Sequence, residues 1–198
     1  LVICLNTIIS SLMSNFMIHK LGIGRIIAIS VATTAVALFG FSVSDQYWML
    51  LLWAIPYGLG AGSVDSVLNN YAALHFKSQH MSWLHCMWGV GASAGPYIMS
   101  LTLTDGKLWN DGYRYISILQ IILTGIIFMS LPLWKKRNVE NFGKTEEDNV
   151  SKALSLKEIF IIPGAKQVML MFFCYCALEQ SAGLWASSYL VLKYGLNE

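Results

Sequence analysis

The sequence predicts an all-α, polytopic transmembrane helix bundle. Three observations predict it: 56% of the residues are hydrophobic, only 12% are charged, and the chain contains long apolar runs. A soluble globular domain has about 25% charged residues, so half that fraction is typical of a chain that lies in a bilayer. Six apolar stretches approach or exceed the roughly 20 residues that a spanning helix needs. They cover residues 1–19, 26–43, 47–74, 81–104, 113–134 and 165–192.

The distribution of basic residues predicts the orientation of these spans. If the connecting loops alternate across the bilayer, one side holds ten of the thirteen Lys and Arg residues and the other holds three. The positive-inside rule assigns the richer side to the cytoplasm. Aromatic residues cluster near the opposite ends of the spans, as an interfacial belt would: Tyr47, Trp48, Trp109, Tyr113 and Tyr115. We therefore expect a multi-pass protein of the plasma membrane, in contact with the lipid bilayer.

A long polar stretch separates the fifth apolar stretch from the sixth. It is too charged to enter lipid, because it carries three consecutive basic residues, 135–137, and three consecutive acidic residues, 146–148. The chain opens inside an apolar run without an initiating Met, so we expect residues 1–134 to form an N-terminal bundle that lacks its first helix. We expect residues 135–164 to form a cytoplasmic linker, and residues 165–198 to contain the first helix of a second bundle.

A single carboxylate lies in the middle of the third apolar stretch. Asp65 follows a glycine-spaced segment and precedes Asn69 by four residues, so the two side chains share one helix face. An ionised Asp at the centre of a spanning helix costs about 2.5–3.5 kcal/mol on insertion scales, and such residues mark proton or substrate pathways. Asp65 is therefore the predicted proton-coupling residue. A structural Asp that is hydrogen-bonded between helices is the alternative.

The first cytoplasmic turn resembles the signature that the major facilitator superfamily carries between its second and third helices. That signature runs Gly-x-x-x-Asp-Arg/Lys-x-Gly-Arg/Lys-Arg/Lys. Lys20, Gly22 and Arg25 match it approximately and are the predicted gate motif, whereas Asn15 and His19 stand where the signature has Gly and Asp. The resemblance implies two six-helix halves joined by a long cytoplasmic linker, with the six stretches as helices two to seven.

The third apolar stretch resembles the fucose–proton symporter branch of that superfamily. Members of the branch carry Gly-x-Gly-x-x-Glu-x-x-x-Asn in the fourth helix, and the same spacing here is Gly60, Gly62, Asp65 and Asn69. Asp65 stands in place of the protonatable Glu of the branch. The resemblance therefore implies that Asp65 binds the transported proton and that Asn69 contacts the solute.

The same resemblance implies further solute contacts on the fourth and sixth stretches. His85 stands where the branch has a cavity-lining Gln, and Trp88, one helical turn later, offers a flat apolar face to a sugar ring. Glu179 and the later Trp185 look like the seventh helix of the branch. The predicted substrate-binding residues are thus Asn69, His85, Trp88, Glu179 and Trp185. Ordinary helix packing is the alternative for His85, Trp88 and Glu179.

These features predict a secondary active transporter that carries a small polar solute, such as a sugar, together with protons. The segment Gly91–Pro96 partly resembles a motif of drug–proton antiporters, which keeps a drug or metabolite exporter of the same superfamily open. A non-transporting membrane receptor or scaffold is the other alternative.

Other classes of function find no support in the sequence. It contains no nucleotide-binding loop, metal-ligand spacing or catalytic triad, so we predict that the protein is not an enzyme and uses no cofactor or metal. The basic residues form short loop clusters rather than a continuous stripe, so no nucleic-acid partner is predicted either.

Overall fold

The computed structural model describes residues 1–145 and 156–195. Within these ranges the regular structure is helical throughout, and seven helices follow one another. They are α1 (Val2–Leu21), α2 (Ile23–Ser42), α3 (Tyr47–His75), α4 (Ser78–Thr104), α5 (Trp109–Thr145), α6 (Leu156–Ile161) and α7 (Ala165–Tyr194). Each predicted apolar stretch falls on one long helix, so the all-α prediction is confirmed.

Four of the helices are long and apolar enough to cross a membrane. They are Ile23–Ser42, Tyr47–His75, Trp109–Pro132 and Ala165–Tyr194. α1 contains a shorter apolar segment, Val2–Ser14. α4 has 27 residues and is therefore long enough, but its first half is more polar because it carries His80 and His85.

The chain divides into two compact units, Leu1–Glu147 and Asp148–Glu198. In the first unit α1 packs along α3, and α2 lies between α3 and α5. α4 makes fewer contacts, mostly with α5. The second unit contains α6, which contacts α7. α5 continues as a helix to Thr145, into the predicted linker, of which residues 146–155 lie outside the described ranges.

A single glycine forms the turn between α1 and α2. Gly22 has φ +78°, a backbone conformation that residues with a side chain rarely adopt, and it both ends α1 and begins α2. The Lys20 ammonium lies 4.4 Å from the centre of the Phe16 ring just before this turn, and Arg25 is exposed just after it. The predicted gate motif therefore lies on a tight turn, while its role stays a prediction.

Glycines on α3 allow two neighbouring helices to approach its backbone. A Cβ atom on Gly62 would lie 2.5 Å from the Thr7 carbonyl oxygen of α1. A Cβ on Gly60 would lie 2.7 Å from the Ser30 carbonyl oxygen of α2. Small residues at membrane helix interfaces permit this close backbone packing, which substitutes for a hydrophobic driving force between helices in lipid.

Hydroxyl groups bond α1 to α3 where their backbones are close, in what we call the α1–α3 seam (Thr7, Ser10, Gly58, Leu59 and Ser63). The Ser10 hydroxyl donates to the Leu59 carbonyl oxygen at 2.6 Å and lies 2.5 Å from the Ser63 hydroxyl. The Thr7 hydroxyl lies 3.3 Å from the Gly58 carbonyl oxygen. The seam satisfies polar groups that lipid could not, and it fixes the two helices in register.

A second interhelical contact joins α2 to α5. The Gln120 amide donates to the Thr34 hydroxyl at 3.0 Å, and Thr34 donates in turn to the Val31 carbonyl of its own helix at 2.8 Å. Nearby, Ile26 and Val67 are almost fully buried in an apolar cluster between α2 and α3. α2 is therefore held from both sides, and it is the most buried helix of the first unit.

Candidate functional site

Asp65 and Asn69 form a hydrogen-bonded pair in α3. The Asn69 side-chain amide donates to Oδ1 of Asp65 at 3.0 Å. The helix produces this contact directly, because residues four apart lie one turn above each other. Asp65 is exposed, whereas Asn69 is half-buried, and its amide oxygen is buried without a hydrogen-bond partner in the described part of the chain.

The packing of α3 explains why the Asp65 side chain is exposed. Gly58 and Gly62 lie against α1, while Gly60 and Val67 lie against α2. Asp65 occupies the part of the helix surface that these contacts leave free. A carboxylate that is open on one side and hydrogen-bonded on the other can exchange a proton without unfolding its surroundings.

The predicted solute-binding residues on α4 are also exposed in the first unit. His85 and Trp88 lie on this helix, and Trp88 is 55% exposed. Over the described ranges no hydrogen bond, ion pair or ring contact joins either residue to Asp65 or Asn69. The structure thus brings Asp65 and Asn69 together, and a shared cavity with His85 stays a prediction.

The second unit contains the other intramembrane acid, Glu179. This residue is half-buried on α7, and Tyr175, one helical turn earlier, interacts with its side chain. Trp185, on the same helix, is 70% exposed. Tyr175 was missed by the sequence reasoning, although its position four residues before Glu179 could have identified it.

The turn between α4 and α5 is exposed and charged. The Lys107 ammonium donates to the Tyr115 hydroxyl at 2.9 Å, and this bond, together with the charges of Asp105 and Asp111, raises the pKa of Lys107 above its ordinary value. Arg114 lies 3.4 Å from Asp111. These neighbouring pairs stabilise the turn only weakly because solvent screens them.

An apolar cleft lies at the end of the first unit where this turn and the α2–α3 turn are found, which we call the outer end. Its volume is about 530 Å³. The cleft is lined by Leu1, Val2, Ile3, Phe41, Leu50, Leu51, Ala54, Met99, Leu103, Trp109 and Tyr113. None of the predicted proton- or solute-binding residues is among them, so the cleft and the Asp65–Asn69 pair are separate features.

Comparisons with known proteins identify the family of this chain. The family model described as Major Facilitator Superfamily matches residues 2–198. The glucose/mannose transporter GlcP of Bacillus subtilis (strain 168) is 24% identical over 122 residues, which are 60% of this chain and 30% of that protein. The chain thus aligns with less than a third of this curated relative, and no solved structure matches it significantly. Because the family model covers almost every residue, the chain belongs to the Major Facilitator Superfamily.

Proposed function

We propose that this chain is part of a secondary active transporter that couples the movement of a small polar solute, such as a sugar, to protons. The Asp65–Asn69 pair carries the proposal, since it combines an open carboxylate with an amide 3.0 Å away inside a helix long enough to span a membrane. The similarity to a protein named as a glucose/mannose transporter supports a sugar as the solute class.

In this proposal Asp65 is the proton site. An ionised carboxylate in the membrane opposes closure of the cavity around it, because closure would remove its charge from water. Protonation neutralises Asp65, so the loaded carrier can reorient and release both proton and solute on the other side. The proposed solute-binding residues are Asn69, His85, Trp88, Glu179 and Trp185.

The substitution Asp65→Asn in the full-length protein tests this role. Asn is nearly isosteric and keeps a hydrogen bond to Asn69, but it cannot take up or release a proton. We expect proton-driven accumulation of the solute to be abolished while counterflow of preloaded solute persists, because counterflow needs only reorientation of the loaded carrier. Both activities can be measured with radiolabelled sugars in proteoliposomes.

A matched control separates the effect of Asp65→Asn from the general effect of removing any acidic side chain. Asp45 lies exposed in the α2–α3 turn, outside the spanning helices, and Asp45→Asn should leave both activities at the wild-type level. Accumulation at the wild-type level in Asp65→Asn would contradict the proposal. If Asp65 is only structural, accumulation and counterflow should fall together with the yield of folded protein.

The orientation and the location are also proposals. The basic residues are enriched at the α1–α2 and α3–α4 turns and from residue 135 onwards, which supports a cytoplasmic position for residues 135–157 in a protein that we propose to lie in the plasma membrane. We expect protease to cleave within 135–157 in inside-out vesicles and to leave this segment intact in whole cells. Cleavage from the outer face of intact cells would contradict this topology.

An exporter of drugs or apolar metabolites is the second candidate function. The cleft at the outer end supports it, since the residues that line it are apolar or aromatic and supply few groups that could bind sugar hydroxyls. Counterflow distinguishes the two candidates. A sugar transporter should exchange sugars and should not exchange lipophilic drugs, and an exporter should show the opposite preference.

A further inference from the structure

We infer that Asn69 is a positioning residue that keeps hydrogen-bond contact with Asp65 in both protonation states. This inference rests on the proposed proton-coupling function and goes beyond it, since it assigns the amide first to the carboxylate rather than to the solute. It starts from two observations: the 3.0 Å bond from the Asn69 amide nitrogen to Asp65, and the buried, unpartnered oxygen of the same amide.

The observed geometry suits an ionised Asp65. A carboxylate can only accept hydrogen bonds, and the Asn69 NH₂ group can only donate them. The pair therefore has its donor and acceptor correctly matched when Asp65 carries its charge. The bond from the neutral amide also stabilises that charge while the solute site is open.

A protonated Asp65 gains a donor, because one of its oxygens becomes an O–H group, while the other oxygen can still accept a hydrogen bond. An amide carries an acceptor oxygen as well as a donor nitrogen, and rotation about the terminal Cβ–Cγ bond of Asn is soft and roughly two-fold. The amide can therefore keep its bond to the unprotonated oxygen of Asp65, or turn by half a rotation. After that turn, the hydrogen bond runs from the Asp65 hydroxyl to the Asn69 oxygen.

The unpartnered oxygen makes this rotation possible at little cost. It has no hydrogen bond in the described residues, so none must break when the amide turns. After the rotation the pair still holds one hydrogen bond, and the amide nitrogen rather than the oxygen has no partner. Contact between Asn69 and Asp65 therefore survives protonation of Asp65 in either orientation of the amide.

The neighbouring residue Asn70 provides a matched control. It has the same side chain on the same helix and is exposed. Its side chain makes no hydrogen bond in the described part of the chain. Successive residues of a helix point about 100° apart, so Asn70 cannot replace Asn69 beside Asp65. Asn69→Leu removes the NH₂ and C=O groups of the amide and keeps a side chain of similar size. Asn70→Leu makes the same change at a side chain that has no hydrogen-bond partner in the described residues.

The experiment combines infrared difference spectroscopy with transport assays on full-length protein in lipid vesicles. A pH jump should produce the C=O band of a neutral carboxylic acid, and Asp65→Asn should remove that band, which assigns it. In Asn69→Leu we expect the band to move to higher wavenumber, since the carboxyl loses its hydrogen-bonded neighbour, and we expect accumulation to fall about tenfold. Asn70→Leu should match wild type in every assay.

The outcomes separate the two claims. If Asp65→Asn removes no carboxyl band and accumulation persists, the proton-coupling proposal fails and this inference fails with it. If Asp65→Asn removes the band but a folded Asn69→Leu leaves the band in place, the inference alone is overturned. If Asn69→Leu does not fold, Asn69→Ala provides the same reading, because it removes the amide without adding bulk. A shifted band in Asn69→Ala supports the inference, and an unmoved band overturns it.

Discussion

α3 and α4 carry similar glycine patterns but meet very different surroundings. On α3, a Cβ atom added to Gly58 or Gly62 would fall within 3 Å of the α1 backbone. On α4, a Cβ atom added to Gly89, Gly91 or Gly95 would find no described atom within 4 Å. The glycine spacing of a membrane helix therefore indicates that close packing is possible, and the position of the neighbouring helices decides where it takes place.

The same contrast separates the polar residues of the two helices. The hydroxyl groups opposite α3 take part in interhelical bonds, as in the α1–α3 seam. The Ser93 hydroxyl of α4 bonds only to the Gly89 carbonyl of its own helix, at 3.0 Å. The Ser63 hydroxyl of α3 thus helps to fix the position of α1, whereas the Ser93 hydroxyl of α4 fixes no neighbouring helix.

The largest expected effect is the substitution Gly62→Ala on α3. The new Cβ would lie 2.5 Å from the Thr7 carbonyl oxygen and 2.9 Å from the Thr7 Cα atom, and both are backbone atoms that cannot move aside like a flexible side chain. α1 must therefore shift away from α3. We expect a loss of about 3 kcal/mol in the free energy of unfolding, measured by titration of the full-length protein from mild detergent into sodium dodecyl sulfate. A loss below about 0.5 kcal/mol would mean that α1 packs elsewhere.

A smaller effect is expected from the hydroxyl groups of the α1–α3 seam. Ser10→Ala removes the bonds to Leu59 and Ser63 together, whereas Ser63→Ala leaves the bond from Ser10 to Leu59 in place. Interhelical hydrogen bonds in membranes contribute about 0.6 kcal/mol on average and at most about 1.7. We expect losses of about 1 kcal/mol for Ser10→Ala and about 0.5 kcal/mol for Ser63→Ala in the same titration. Equal losses would show that the bond to Leu59 contributes nothing.

Loss of the bond between Gln120 and Thr34 should have a similar or smaller effect, because α2 and α5 are also joined by a bond from the Thr124 hydroxyl to the Val31 carbonyl oxygen. Gln120→Leu removes the donor to Thr34, and we expect a loss of about 0.6 kcal/mol in the free energy of unfolding. A double-mutant cycle with Thr34→Val isolates the pair, since Thr34→Val alone also removes its bond to Val31. Strictly additive losses would contradict a direct interaction between Gln120 and Thr34.

The sequence predicted much of the fold and the central pair of the site, for identifiable reasons. Length and hydropathy determine where helices form in lipid, so the six apolar stretches matched six helices. The four-residue spacing of Asp65 and Asn69 placed them on one face, because this depends only on helix geometry. Local spacing alone was sufficient for both predictions.

Tertiary contacts were beyond such local reasoning. Gly60 packs against α2 on a different side from Gly62, which depends on where α2 lies and not on the spacing within α3. The bond between Asn69 and Asp65 was not predicted either, since a shared face does not tell which groups are already bonded. The position of His85 and Trp88 relative to Asp65 depends on how α4 packs, and it stays a prediction.

The smallest expected effect is the same substitution made on α4, Gly91→Ala. No described atom lies within 4 Å of the added Cβ, so no backbone has to move. Ala is also favoured over Gly in a helix by about 0.5–1 kcal/mol, because Gly loses more conformational freedom on folding. We therefore expect the free energy of unfolding to stay the same or to rise by less than 1 kcal/mol, against the loss of about 3 kcal/mol for Gly62→Ala. A loss in Gly91→Ala comparable to that in Gly62→Ala would show that a segment outside the described residues packs on α4. In that case the glycines of both helices would permit close packing. The contrast between α3 and α4 would then reflect only which of their neighbouring segments lie in the described ranges.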